Sequence, residues 1–257
     1  MAARTAAVTG GTSGIGLAVA RTLAEQGLTV FICGRDRARV EDTVRALRAD
    51  GLPVDGRVCD VRSRSDVRAF MRAVATAGGV DVLVNNAGRS GGGPTAQLSP
   101  DLWTDLVDTN LTSVFTVTQE ALTTGGMLSR DWGRVINIAS TAGKQGVPLG
   151  AAYSASKGGV IAFSKALAKE LAQHGITVNA VCPGYVDTPM ADLVLDAYAE
   201  LNGSTVETVR RQFEAKIPLG RYSTPEEVAA LVGHLVRPEA NSITGQAVNV
   251  CGGLGSY

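Results

Sequence analysis

The chain has 257 residues, and its 24 Lys plus Arg residues balance 24 Asp plus Glu residues. A zero net charge argues against nucleic acid or an anionic membrane as a partner, and no apolar stretch is long enough to span a bilayer. The four cysteines stand singly, and no His, Cys or Asp cluster has metal-ligand spacing. We therefore expect a cytoplasmic protein with free thiols and no metal.

Short apolar segments alternate with helical patterns along the whole chain. Seven segments have the continuous Val, Ile and Ala content of buried strands: 6–10, 28–34, 54–60, 80–88, 133–140, 175–184 and 245–253. The alternation predicts a Rossmann-type, doubly wound α/β fold with seven parallel strands, helices on both faces, and a single domain over 1–257. Residues 191–218 interrupt it between strands six and seven, and we expect a helical lid there.

The first predicted strand runs into a glycine-rich turn, TGGTSGIG. Glycine lets the backbone approach a pyrophosphate, and the N-terminus of the following helix favours negative charge. Any tight strand-to-helix turn favours glycine, but a place after strand one of a parallel sheet indicates a nucleotide. The turn residues expected to bind the cofactor are Gly10, Thr12, Ser13, Gly14, Ile15 and Gly16.

The second predicted strand ends in FICGRD. An acidic residue at this end binds the ribose 2′-hydroxyl of NAD, whereas a cation binds the 2′-phosphate of NADP. Arg35 directly follows the strand, and arginine forms bidentate bonds to phosphate, so we predict NADPH/NADP+ as the cofactor. The alternative leaves Arg35 in solvent and makes Asp36 the N-cap of the next helix.

Small and polar residues also follow the other predicted strands. Ligands of open parallel sheets bind outside the carboxyl ends of the strands, so these residues are further cofactor candidates. They are Asp60 and Val61 near the adenine, Asn86, Ala87 and Gly88 after strand four, and Pro183, Gly184, Val186 and Thr188 after strand six. Asp60 could instead cap the next helix, and NNAG would equally suit a tight turn.

A tyrosine and a lysine, Tyr153 and Lys157, lie four residues apart in helical sequence and therefore on one helix face. The lysine charge favours the phenolate, so we predict a lowered tyrosine pKa and a role for Tyr153 as proton donor to a carbonyl. Ser140, at the end of strand five, would hold the carbonyl oxygen, and Lys157 would also bind the nicotinamide ribose. The alternative is a turn-spaced pair without function and an ordinary strand-end hydroxyl.

The hydride for such a reduction has to come from nicotinamide, because no side chain can supply one. Asn110, in DTNLTSVF, would bind a water that returns the proton to the tyrosine through Lys157. Its alternative role is that of an amide that caps or breaks a helix.

Taken together, TGGTSGIG, NNAG, Asn110, Ser140, YSASK and PGYVDTPM make the whole chain similar to the short-chain dehydrogenases/reductases. NNAGRSGGG, NIASTAGKQGV, ITVNAVCPGYVDTPM, IPLGRY and NVCGGLGSY resemble more closely the ketoreductases of bacterial aromatic polyketide synthases. This resemblance implies NADPH-dependent reduction of a poly-β-ketone on an acyl carrier protein, typically at C9, in antibiotic biosynthesis. It also implies a homotetramer with helices four and five at its interfaces.

The same resemblance implies roles for individual residues. The catalytic set is Asn110, Ser140, Tyr153 and Lys157. The residues that match the family's substrate cleft are Thr141, Gln145, Val147, Met190 and Tyr198. One departure concerns Ser90, which stands where the family's loop has the proline of Pro-Gly-Gly. That loop is linked to alcohol stereochemistry, so the hand and position of reduction stay open.

Other functions remain open on the sequence. A 3-oxoacyl-carrier-protein reductase or another short-chain alcohol dehydrogenase would use the same residues. A dinucleotide-binding regulator without turnover is disfavoured, because it would not need all four catalytic residues. Arg89, after NNAG, could meet an acidic surface of the carrier or be an ordinary solvated loop charge.

Overall fold

The computed structural model describes residues 4–255. Its strands are β1 (Thr5–Thr9), β2 (Thr29–Gly34), β3 (Val54–Val58), β4 (Val82–Asn85), β5 (Gly133–Ile138), β6 (Ile176–Pro183) and β7 (Ala247–Val250). They form one parallel sheet in the order β3-β2-β1-β4-β5-β6-β7. The order reverses between β1 and β4, and such a switch point opens a crevice at the carboxyl ends of the strands.

Helices connect the strands on both faces. They are α1 (Gly14–Glu25), α2 (Arg37–Ala49), α3 (Arg64–Thr76), α4 (Pro100–Val107), α5 (Ser113–Leu122), α6 (Ala142–Gln145), α7 (Ala151–Leu171), α8 (Pro189–Asn202), α9 (Val206–Glu214) and α10 (Pro225–Leu235). A π-helical turn, Asp108–Thr112, joins α4 to α5. Short 3₁₀ turns lie at Thr95–Gln97, Met127–Ser129, Ala172–His174 and Pro238–Ala240.

The core lies on the two faces of the sheet. One cluster joins the sheet to α1, α2 and α10, and includes the fully buried Leu23. The other joins it to α3, α5 and α7, and includes Phe70. Because both faces are covered, the inner strands are buried along their length, as their continuous apolar sequence predicts. The predicted doubly wound fold and its seven strands are confirmed.

The segment that interrupts the alternation contains α8 and α9, which pack on each other around their own apolar cluster. The ring of Phe213 on α9 stacks on Tyr185 with centroids 4.8 Å apart. The helical content therefore agrees with the expectation for residues 191–218, while the role of this segment as a lid stays a prediction.

All four cysteines are buried and have free thiols. Within residues 4–255, no helix combines the length and the apolarity that crossing a bilayer requires.

Candidate active site

The conformation of the turn between β1 and α1 allows a ligand to lie directly against its backbone. Gly10 and Gly14 have left-handed φ angles of +65° and +50°. A Cβ on Gly16 would lie 2.2 Å from the Gly10 carbonyl oxygen and 2.4 Å from Asn86 Nδ2, so a side chain cannot fit there. Ser13 is the N-cap of α1 but makes no side-chain cap hydrogen bond. Its hydroxyl and the first N–H groups of α1 are therefore available to a phosphate.

Arg35 and Asp36, which follow β2, have different roles in the structure. The Asp36 carboxylate accepts a hydrogen bond from Arg39 N at 3.1 Å and caps α2, as the alternative interpretation expected. Arg35 is exposed and forms no ion pair within the described part of the chain. Thr12 lies against the preceding residue, since a Cβ on Gly34 would be 3.1 Å from Thr12 Cγ2. An exposed guanidinium at the end of β2 fits a 2′-phosphate better than a ribose hydroxyl.

Several residues predicted to bind the cofactor also have contacts within the protein, and their contact with the cofactor stays a prediction. The Val61 and Val186 side chains are 7% and 6% exposed and belong to the core, and Ile15 packs against it. The Asp60 carboxylate is bound by Arg62 at 2.7 Å, and the guanidinium lowers the pKa of Asp60. Asp60 does not cap α3, because Ser63 occupies that position. The predicted position of Asp60 and Val61 near an adenine stays a prediction.

The NNAG turn after β4 is tied to the glycine turn by Thr9. The Thr9 hydroxyl accepts hydrogen bonds from the backbone N–H groups of Asn86 and Ala87, both at 3.0 Å. Asn86 Nδ2 donates to the Thr9 carbonyl oxygen at 3.0 Å. Asn85 faces the interior, where its amide donates to Asn137 Oδ1 at 2.8 Å. Only Asn86 of the two NNAG amides therefore lies next to the expected cofactor position.

The end of β6 reaches the same crevice. Thr188 caps α8 with its hydroxyl. A Cβ on Gly14 would lie 3.0 Å from Thr188 Cγ2, so the two turns are in contact. The Pro183 carbonyl accepts from Thr141 N at 3.0 Å, and Gly184 N donates to the last residue of β7. The candidate residues of strands one, four, five and six therefore line one edge of the sheet.

Ser140 and Tyr153 are brought together by the packing of α6 on α7. At their contact, a Cβ on Gly143 would lie 2.5 Å from the Lys157 carbonyl carbon, so glycine permits the close approach. The Ser140 hydroxyl lies close enough to Tyr153 to lower the tyrosine pKa, but desolvation has the larger effect and the pKa of Tyr153 is raised overall. The predicted lowering of this pKa is wrong for the chain by itself, because burial outweighs any effect of the lysine.

Lys157 is 6% exposed, and its ammonium group donates to the Ile138 carbonyl oxygen at 2.8 Å. Burial lowers the pKa of Lys157 to about 8. Lys157 Nζ lies over the Tyr153 ring, 6.0 Å from its centroid, at the outer limit of a cation–π contact. A Cβ on Gly88 would be 3.6 Å from Lys157 Nζ and 3.1 Å from Asn110 Oδ1. The lysine and the asparagine thus face a common position beside Gly88.

Asn110 is fully buried in the π-helical turn and is held by three hydrogen bonds. Its Oδ1 accepts from Arg89 N at 2.9 Å, and its Nδ2 donates to Arg89 O at 3.0 Å and to Ser156 Oγ at 3.2 Å. Ser156 Oγ in turn donates to the Tyr153 carbonyl oxygen at 2.7 Å. Asn110 therefore joins the loop after β4 to the helix that contains Tyr153 and Lys157.

The residues matched to a substrate cleft differ in exposure. Gln145 is exposed, Met190 is 38% exposed, Val147 is half-buried and Thr141 is only 4% exposed. Tyr198 packs edge-on against Phe213 with centroids 5.1 Å apart. Their contact with a substrate stays a prediction.

Arg89 is neither unpaired nor simply solvated. Its guanidinium is ion-paired with Asp105 on α4, and the other oxygen of that carboxylate binds Arg62 Nη1 at 2.8 Å. The two arginines thus share one carboxylate at the rim of the crevice.

Sequence reasoning missed Thr9, Ser156 and Asp105. Thr9 ends β1 next to the glycines, and Ser156 lies within the Tyr–Lys segment, one residue before the lysine. Only these positions, beside the glycine turn and within the Tyr–Lys segment, could have indicated a role for Thr9 and Ser156. Apart from Tyr153, which is three residues before Ser156, their partners lie 16 to 78 residues away along the chain, so these bonds could not be predicted.

The family assignment follows from this fold and site. The chain belongs to the short-chain dehydrogenase family, whose sequence profile matches residues 4–199. It is therefore an oxidoreductase that acts on a carbonyl or alcohol group, and the family resemblance found in its motifs is confirmed.

Three known proteins show which members of this family the chain is similar to. The chain is 62% identical over 255 residues to a Streptomyces virginiae protein named as a ketoacyl reductase of the monensin polyketide synthase, with 99% of this chain and 98% of that protein covered. It is 55% identical over 253 residues to one named for the granaticin polyketide synthase of Streptomyces violaceoruber, with 98% and 93% covered. A crystal structure of a tryptophan variant of actinorhodin polyketide ketoreductase with NADPH has a TM-score of 0.97 and 54% identity, with 99% and 98% covered.

Proposed function

We propose that the protein is an NADPH-dependent ketoreductase that reduces one carbonyl, at C9, of an aromatic poly-β-ketone bound to an acyl carrier protein. The product is a secondary alcohol in antibiotic biosynthesis. The observation that carries carbonyl reduction is the convergence of Ser140, Tyr153, Lys157 and Asn110 at the carboxyl edge of the sheet. The names of its relatives at 54–62% identity support the polyketide substrate and NADPH.

The cofactor residues present fit NADPH. The glycine turn leaves backbone N–H groups and the Ser13 hydroxyl for the diphosphate, and the exposed Arg35 suits a 2′-phosphate. When bound, NADPH supplies the hydride. Lys157 and Tyr153 would hold the nicotinamide ribose.

Tyr153 acts as the general acid in this proposal. Its hydroxyl is protonated at neutral pH, which is the form that donates a proton to a developing alkoxide, although the raised pKa makes Tyr153 a weaker acid in the chain by itself. Ser140 lies close enough to the same hydroxyl to lower its pKa, so it can hold the carbonyl oxygen beside it.

The proton is returned to Tyr153 through the buried lysine. With a pKa of about 8, the Lys157 ammonium is mostly protonated at pH 7 yet gives up a proton readily. Asn110 Oδ1 and Lys157 Nζ face the same position beside Gly88, where a water would link them. Asn110 would hold that water, as the sequence predicts.

The protein would work in the cytoplasm as a homotetramer beside its carrier. Trp103 on α4 and Phe115 on α5 are each 45% exposed, and large exposed aromatic side chains suit subunit interfaces on these two helices. Sedimentation analysis of a variant with arginine at both positions would show dissociation if these helices form the interfaces.

Two ketone substrates separate the polyketide function from that of a fatty-acid-type reductase. We expect NADPH oxidation with trans-1-decalone, a bicyclic mimic of a cyclised polyketide, to be faster than with acetoacetyl carrier protein. Fast turnover of acetoacetyl carrier with slow turnover of the bicyclic ketone would support a 3-oxoacyl-carrier-protein reductase instead. No turnover of either would favour a dinucleotide-binding regulator.

A further inference from the structure

Two arginines lie at the amino-terminal edge of the sheet, opposite the edge that contains the candidate active site. Arg4 directly precedes β1, and Arg134 is the second residue of β5. Both guanidinium groups lie over the Trp132 ring, with their Cζ atoms 3.6 Å and 4.1 Å from its centroid. The face of an aromatic ring attracts a cation, but it leaves the N–H groups of a guanidinium without hydrogen-bond acceptors.

Neither arginine is paired with a carboxylate of residues 4–255. Arg4 is half-buried, and its guanidinium makes no hydrogen bond or ion pair within that part of the chain. Arg134 is 1% exposed, and its guanidinium donates only to the Gly133 carbonyl oxygen, at 2.8 Å, and to Asn241 Oδ1. Burial and the charge of Arg4 lower the pKa of Arg134 to about 10. Because buried cations are ordinarily paired, two cations beside one ring point to an anion from outside these residues.

Two buried polar atoms on neighbouring strands have no hydrogen-bond partner among the described residues. They are Arg134 Nε and Thr177 Oγ1. Arg134 and Thr177 are aligned partners of β5 and β6, so their side chains point to the same face of the sheet. Both groups can donate a hydrogen bond, and a negatively charged oxygen is the acceptor that satisfies both.

We propose that Arg4, Arg134 and Thr177 form a binding site for a small oxyanion, a phosphate or carboxylate group, at the amino-terminal edge of the sheet. Arg134 Nε and the Thr177 hydroxyl bind one oxygen at the buried end. The half-buried Arg4 guanidinium binds a second oxygen at the rim, and Trp132 orients both guanidinium groups. Since Arg35 and the glycine turn lie at the other ends of the strands, the anion stabilises the fold without competing with NADPH.

The two tryptophans of the chain allow NMR to observe this site. Trp132 lies in the site, whereas Trp103 lies on α4 and serves as an internal control. We expect the indole N–H resonance of Trp132 to move saturably with millimolar sodium phosphate and that of Trp103 to stay in place, with Trp103→Phe assigning the two resonances. Sodium chloride at the same ionic strength should move neither. A Trp132 resonance that does not respond to phosphate, or that responds equally to chloride, would overturn the proposal.

Removing either cation should weaken the binding of phosphate. Arg4→Met and Arg134→Met should each raise its Kd by at least about tenfold, because each removes charged donors from the oxyanion. The matched control is Arg130→Met, since Arg130 is at the same edge but is already paired with Asp81, and it should leave this Kd unchanged. Arg4→Met covers the case in which Arg134→Met does not fold, because the Arg4 side chain makes no hydrogen bond within residues 4–255. An unchanged Kd in Arg4→Met would overturn the proposal.

Thermal unfolding separates this site from the cofactor edge of the sheet. Phosphate should raise Tm by at least about 3 °C in the unmodified protein and in Arg35→Ala, but not in Arg4→Met. A rise that is lost in Arg35→Ala and kept in Arg4→Met would place the phosphate at the cofactor edge and overturn the proposal.

Sodium acetate in place of phosphate identifies the kind of oxyanion. A lower Kd for phosphate than for acetate would assign the site to phosphoryl groups, and the reverse would assign it to carboxylates. Saturable binding of either one supports the site, whereas no binding of either would contradict it.

Discussion

The carboxyl edge of the sheet has two halves that recognise their ligands by different means. Over β1 and β2 the edge consists of backbone at glycine positions, a helix N-terminus and the exposed Arg35. Over β4 to β6 it consists of buried side chains, with Asn110 and Lys157 almost without exposure. The first half suits a cofactor that is bound and released, whereas the second fixes the groups that transfer protons.

The largest effect is expected from removing the proton donor of the buried half. Tyr153→Phe should lower kcat by about 10³-fold, within the range for losing a general acid, with little change in stability. NADPH-dependent ketone reduction measures this effect. Tyr222→Phe, which removes the hydroxyl of a buried tyrosine, serves as the control and should retain activity. Full reductase activity in Tyr153→Phe would remove the tyrosine from the mechanism.

The exposed half is tested by replacing its cationic residue, Arg35. Arg35→Ala should weaken NADPH binding by about tenfold to a hundredfold and leave NADH unchanged, because only NADPH has the 2′-phosphate. Arg45→Ala, an exposed α2 arginine paired with Asp42, is the matched control and should change neither cofactor. An unchanged ratio of KM for NADPH and NADH in Arg35→Ala would mean that another group selects the cofactor.

A smaller effect on kcat is expected at Ser156 on α7, and it distinguishes a role in catalysis from a role in packing. Ser156→Ala removes the hydroxyl that links Asn110 to the helix turn of Tyr153, and we expect kcat to fall about threefold to tenfold. Ser164→Ala removes an equally buried hydroxyl, which accepts from Asn137 and donates to Val160 O. Both variants should lower Tm by similar amounts, but only Ser156→Ala should lower kcat. Equal kcat values would assign Ser156 to packing alone.

The buried lysine should reduce the stability of the fold in return for function. Burial places the folded-state pKa of Lys157 at about 8, below its ordinary value of 10.5, so the charged form destabilises the folded state at and below pH 7. Lys157→Met should therefore be more stable by on the order of 1–2 kcal/mol at pH 7, since one pKa unit is equivalent to about 1.4 kcal/mol and the bond to Ile138 O is lost.

The stability difference between Lys157→Met and the unmodified protein should depend on pH. Between about pH 8 and 10.5 the unfolded chain binds more protons than the folded one, so the stability contributed by Lys157 rises with pH and the advantage of Lys157→Met shrinks. Urea unfolding from pH 7 to 10 measures it, with the exposed Lys165→Met as control. An advantage that is constant with pH would show that folding leaves the pKa of Lys157 unshifted, so that burial does not destabilise its charged form.

The two halves also differ in how well the sequence predicts them. The cofactor half depends on local features, namely glycines after a strand and Arg35 beside Asp36, so its turn and its helix cap could be predicted. In the buried half the residue types were predicted but their bonds were not, because Thr9 and Asn86, or Asn110 and Ser156, meet only after distant elements pack. The raised pKa of Tyr153 was missed for the same reason, since burial is a property of the packed fold.

Reconstitution with a minimal aromatic polyketide synthase and its carrier protein tests the proposed reaction most directly. With NADPH and the unmodified protein, the released polyketide should contain two more hydrogen atoms than the product made without it, located at one secondary alcohol. Tyr153→Phe should restore the unreduced product. Unreduced polyketide in the presence of the unmodified protein, or reduced polyketide with Tyr153→Phe, would contradict it.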